Sequence, residues 1–222
     1  MKYVTFIVLV LVSSSVQGQE LIDDPLTLEY RQAHDLLFEV KSRANRAVEI
    51  LLQDGKRKAE DLNPKELLLL CLAYNQAAKL DEQLKTAKVL FEKYPERLSS
   101  SLCIQDSMLS QLGNLVTTDA IIEFVDSSLS KKKGSARVLM LLKARAIVLQ
   151  DSQVTNADKV KQVGELLVEA ARQPKEKYDS TNRLRADPEY LVESDSVFSR
   201  FFSRDEKNAI KERISVIQKT SD

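Results

Sequence analysis

The chain of 222 residues has no tryptophan, one histidine, two cysteines, and only five glycines and five prolines. It also has no net charge, with 33 basic residues against 33 acidic. Each shortage removes a class of protein. With one histidine (His34) and two separated cysteines (Cys71, Cys103), no zinc site of a common type can be assembled. Five unclustered glycines exclude a glycine-rich phosphate loop and a nucleophile elbow. Balanced charge disfavours nucleic acid as a partner, since such binders carry a basic excess. Few helix breakers, with abundant Leu, Ala, Glu, Lys and Gln, point to helix. No stretch alternates apolar and polar residues strongly enough to read as a strand.

The first residues, MKYVTFIVLVLVSSSVQGQE, have the form of a secretory signal peptide over residues 1–18. Lys2 is a positive start. Val4 to Val12 is apolar but too short to span a bilayer comfortably. Val16-Gln17-Gly18 offers a cleavage site before Gln19, and an uncleaved anchor is the alternative reading. The expectation is an exported protein, periplasmic or extracellular, with no membrane span after cleavage. Export permits disulfides. Cys71 and Cys103 both sit in apolar helical surroundings. They read either as two buried thiols or as one bridge closing a loop of some thirty residues.

Helix signals recur along the chain. Asp24-Pro25 opens a first helix, and Leu26, Tyr30, Ala33, Leu37, Val40, Ala44, Ala47 and Leu51 form a heptad stripe that runs towards Gly55. The alternating four- and three-residue steps predict one long helix. Asn63-Pro64-Lys65-Glu66 is a capping box with proline in the first turn. Helices are then expected to start near 64, 82, 101, 118, 136 and 156, with Thr117 or Thr118, Ser135 and Asn156 at starts. They form three hairpins with a period of about 36 residues, the mark of a helical-repeat array. After Pro174 the stretch KEKYDSTNRLRADPEY reads as a surface loop. Val197, Phe198, Phe201 and Phe202 are expected to dock on the last pair. Ser203 and Glu206 stand in capping-box spacing before a final helix. The domain reading is a repeat domain over residues 19–174 and a loop with a helical cap over 175–222.

The run ELLLLCLAYNQ places eight apolar residues in a row, from Leu67 to Tyr74. A helix apolar on all sides must be covered on several sides. VLMLLKARAIVL, residues 138–149, poses the same problem.

Pro64 to Pro95 resembles a tetratricopeptide repeat. Leu67, Leu70, Cys71 and Tyr74 follow the order of the family's first helix, and Pro95 stands where its closing proline does. Gln83, Ala87 and Leu90 depart from the second-helix pattern, and the later hairpins match in length and pairing only. The resemblance implies a stack whose first helices line a face that binds peptides or protein segments. One version of the family grips a terminal carboxylate with Lys and Asn. The matching positions here are Leu68 and Leu72, which cannot form that clamp.

The expectation is therefore an all-α helical-repeat protein of three antiparallel pairs, with a long N-terminal helix and a C-terminal cap. It binds another protein or a peptide segment as an adaptor or scaffold and is not an enzyme. Candidate contact residues are Leu68, Leu72, Asn75 and Gln105. No cofactor, metal site or catalytic residue is implied. The rival readings are an α-helical carrier with an apolar internal pocket and a structural subunit of an envelope assembly. His34 reads as a helix-flank residue, Lys131-Lys132-Lys133 as a solvated turn, and Asp23-Asp24 and Asp205-Glu206 as helix-start acids.

Overall fold

The computed structural model describes residues 27–38, 43–150, 156–174 and 186–221. Among them are eleven α-helices, packed in neighbouring pairs, and no strand. The proposed signal peptide, the turn at 151–155, the side chain of Asn156 and most of the polar stretch after Pro174, with Arg183 and Arg185, lie outside the described residues. The chain divides into two compact units between Gln111 and Leu112. No helix of the described residues is long and apolar enough to cross a membrane.

The first unit contains α1 (Leu28–Phe38), α2 (Ala44–Leu51), a 3-10 turn (Ala59–Asp61), α3 (Pro64–Gln76), α4 (Leu80–Lys93) and α5 (Leu98–Ser110). The expected long N-terminal helix is corrected here: it is two helices, α1 and α2, packed on each other. Length explains the division. A straight helix over 25–55 would run about 45 Å, whereas the thirteen residues of α3 extend about 20 Å. Half of the stripe would find nothing to cover it. Folded back, the same stripe buries Ala33, Leu37, Ala44, Ala47 and Leu51 in one core. The alanines let α1 and α2 approach closely. The Arg43 N–H donates to the Leu36 carbonyl at 3.3 Å across the break. Past α2, Gln53, Asp54 and Gly55 all adopt positive φ, so Gly55 lies within a left-handed turn that begins two residues earlier.

The start of α3 is as its sequence predicts. Asn63 Oδ1 accepts from the Glu66 N–H, and Glu66 Oε2 accepts from the Asn63 N–H, both at 3.0 Å. Helices α1, α2, α4 and α5 all contact α3. Four neighbours answer the question raised by its unbroken apolar run. Leu67 and Leu70 are fully buried, each contributing about 1.5–3 kcal/mol by removal from water. The turn to α4 closes through the Lys79 N–H and the Tyr74 carbonyl at 2.9 Å, with Ala78 at φ +55°. α4 turns Leu84, Ala87, Leu90 and Phe91 inward, and α5 packs on it.

The second unit contains α6 (Thr118–Ser130), α7 (Ala136–Leu149), α8 (Asn156–Arg172), α9 (Pro188–Ser194), α10 (Phe198–Phe201) and α11 (Arg204–Ser221). Thr117, not Thr118, caps α6, accepting from the Ala120 N–H at 3.1 Å. Ser135 caps α7. α7 lies between α6 and α8 and buries Val138, Leu139, Leu141, Leu142, Ala144, Ala146 and Ile147. The C-terminal segment closes the α7–α8 core as expected. Phe198 and Phe202 are buried with Leu141, Ala144, Val163 and Leu167, and Phe201 packs against them. The Ser203–Glu206 capping box opens α11, which lies along α8. Gly164 faces Ile210 across that contact, where a Cβ would stand at an ordinary van der Waals distance of 3.4 Å from Ile210 Cδ1. Arg213 grips Glu165 with two hydrogen bonds, 2.9 and 2.8 Å long, between the same two helices.

Helices start at 64, 80, 98, 118, 136 and 156; α3 pairs with α4 and α7 with α8, while α5 packs on α4 in the first unit and α6 packs on α7 in the second. The observed starts of α4 and α5 are two and three residues earlier than the sequence pattern predicts, a normal scatter at helix ends.

Candidate binding face and buried charge anchors

From Pro64 to Tyr74, Leu68 alone is not buried. It is half-buried and packs against the core of the first unit. Leu72, one turn on, is 8% exposed, and Asn75, two turns on, is half-buried. These three positions form one stripe of α3 at spacing i, i+4, i+7. It is the side where the cover over α3 is thinnest, and it presents one leucine and one asparagine. Gln105, on α5, is 2% exposed, and its Oε1 accepts no hydrogen bond among the described residues. The structure thus places Leu68, Leu72 and Asn75 on one stripe and leaves Gln105 inside the unit.

Cys71 and Cys103 are brought together. Helices α3 and α5 are in contact, Cys71 is buried, Cys103 is half-buried, and both are free thiols. The Cys71 thiol faces the Gln83 carbonyl at 3.9 Å. Burial pushes it well above its ordinary value, and a hydrogen bond with Cys103 adds to the rise.

Among the buried charged groups, Arg137 and Arg145 were not singled out by the sequence, and Glu66 was read only as a helix cap. Glu66, 1% exposed, does more than close a capping box. Arg57 Nη1 donates to its Oε1 at 3.1 Å and Arg57 Nη2 to its Oε2 at 3.0 Å. Thr27 Oγ1 donates to Oε1 at 2.8 Å. One carboxylate at the positive end of α3 thereby ties down the turn after α2 and the residue before α1. Burial raises the Glu66 carboxyl, but Arg57, the Asn63 N–H and Thr27 together outweigh it and hold the group below its ordinary 4.5.

In the second unit the buried charges are cationic. Arg145 donates through Nε and Nη2 to Asp195 Oδ2 at 3.3 and 3.0 Å, and its guanidinium lies 5.6 Å from the Phe198 ring centre. Asp195 Oδ1 accepts from the N–H groups of Val197 and Phe198, which turns the chain into α10. Arg137 donates to the carbonyls of Ala171 and Gln173 and so closes the negative end of α8. Arg145, which with Lys143 interrupts the apolar run over 138–149, was the signal of such an anchor. Arg57 carried none, since it lies in a polar stretch.

His34 lies between the rings of Tyr30 and Phe38, at centroid distances of 6.0 and 4.7 Å, half-exposed on the flank of α1. Lys131 and Lys132 are exposed in the turn after α6. Asp205 and Glu206 begin α11. Among the described residues, no group of three or more His, Cys, Asp or Glu is placed to hold a metal ion. Comparison with protein-family models, with curated proteins and with solved structures finds no match.

Proposed function

We propose that the chain is an exported helical-repeat protein, related in design to tetratricopeptide repeats, that acts as an adaptor or scaffold by holding a segment of another protein. The observation that carries the reading is the thin cover on α3. A helix buried on every other side leaves Leu68 half-buried, with Leu72 and Asn75 in line behind it. An amphipathic partner segment could cover Leu68 with its apolar side. The repeat-like order of Leu67, Leu70, Cys71 and Tyr74, and the helix pairs around them, support the same reading.

The test is affinity capture by the protein beginning at Gln19, from the compartment in which it occurs, beside the variant Leu68→Asp. Leu68 is only half-buried, so this change costs about 1 kcal/mol and leaves the fold intact. The expected result is one protein partner retained by the wild type and lost, at least tenfold, by the variant. Retention of the same partner by both, in a complex that survives high salt, would favour the envelope-subunit reading. A co-purifying lipid with no protein partner would favour the carrier reading. Either outcome overturns the proposal.

A further inference from the structure

Two thiols of unequal exposure on two helices that contact each other have the arrangement of an oxidation site. Cys71 belongs to α3 and Cys103 to α5, and both helices lie in the first unit. Cys103 packs against the same core that encloses Leu70 and Leu72, the residues on either side of Cys71. The two helices are in contact and Cys103 packs beside the residues that flank Cys71, so closing a bond of about 2 Å asks for a change of rotamer within that one contact. We propose that Cys71 and Cys103 form one intramolecular disulfide by exchange with a small-molecule disulfide such as oxidised glutathione. The bridge ties α3 to α5 and encloses α4, the helix between them in sequence.

The difference in exposure sets the order of events. Cys103 is the accessible thiol and reacts first. Its thiolate attacks one sulfur of oxidised glutathione, the S–S bond breaks, and glutathione thiolate leaves. Cys71, the buried thiol, passes its proton towards the departing glutathione sulfur as its own sulfur attacks the Cys103 sulfur of the mixed disulfide. A second glutathione leaves. In sum, two protein thiols and one oxidised glutathione become one protein disulfide and two reduced glutathiones. The site is independent of the binding reading, and its test does not involve a partner.

The experiment incubates the purified full chain with oxidised glutathione at mild alkaline pH, alkylates it under denaturing conditions and measures the intact mass. The expected product has lost two hydrogens, takes up no alkylating agent and carries no glutathione. Its melting midpoint is expected to rise by roughly 5–10 °C and to return on reduction. Cys71→Ser is expected to stop at the glutathione adduct on Cys103, and Cys103→Ser to leave Cys71 unmodified until the chain is unfolded. The wild-type mass decides the matter even where a variant folds poorly. Two alkylatable thiols after oxidation, or an adduct on Cys103 that never closes, would overturn the inference.

Discussion

Helices α3 and α7 do the same job in different units, and the buried charges by which they anchor other segments have opposite signs. Each lies among several helices, and each is apolar on nearly every side. α3 buries both Lys65 and Glu66 in its first turn, and its anchoring charge is Glu66, at the N-terminal end where the helix dipole favours an anion. α7 carries two arginines, and neither serves its own helix. Arg137 closes the C-terminal end of α8, and Arg145 holds the turn into α10. In both units the buried charge reaches a segment with no strong apolar pattern of its own: Thr27 and Arg57 in one, Asp195 in the other. The comparison teaches that apolar burial places the central helices, while buried ionic contacts fix the irregular segments around them.

The largest effect that would sharpen this contrast is expected from Glu66→Ala. It leaves the Arg57 guanidinium, the Thr27 hydroxyl and the Asn63 N–H without their shared acceptor. A loss of about 3 kcal/mol is expected, read as a shift of the urea midpoint at constant slope. The loss also has a pH signature. The folded carboxyl lies below its unfolded value, so its contribution is present above about 4.5 and fades as the pH falls through the folded-state value. The gap between wild type and variant should narrow in that acid range. A gap that widens there would contradict the assigned network.

Arg145→Ala is expected to cost less, about 2 kcal/mol. The Asp195 side chain keeps 17% exposure and can turn to water, and its Oδ1 still caps α10. A loss larger than that of Glu66→Ala would reverse the ranking and place the stronger anchor in the second unit.

The smallest effect has the opposite sign. Ala78, in the turn from α3 to α4, holds φ +55°, a conformation that costs a side-chain-bearing residue energy and glycine little. Ala78→Gly is expected to stabilise by about 0.5 kcal/mol, since part of the relief is lost to the greater freedom of unfolded glycine. Destabilisation in thermal melting would show that the turn is not left-handed.

Much of the helical frame was legible because caps and breakers act locally. Asn63-Pro64 and Ser203–Glu206 mark helix starts through contacts within four residues, and the structure shows those same contacts. The break between α1 and α2 was not legible. Leu37 and Ala44 are seven residues apart, so the heptad register passes through the break unchanged. One long helix and two folded-back helices therefore present the same stripe. The candidate face was half legible for a related reason. A helix apolar on all sides has no phase, so the sequence could not say that Leu68 is the open position while Leu72 is nearly closed. Gln105 is polar and pattern reasoning places it outward, yet α5 is covered on that side too. Ion pairs such as Arg57–Glu66 join residues outside any period, and only the folded chain brings them together.

Hydrogen exchange, resolved by peptide under native conditions, tests the central claim most directly. If α3 and α7 are the enclosed centres of their units, amides over 68–76 and 140–149 exchange slowest in the molecule, near the rate of global unfolding. Residues 28–38, whose helix is covered on fewer sides, exchange at least tenfold faster. Exchange over 68–76 as fast as over 28–38 would contradict the account, because α3 would then not be enclosed by its neighbours.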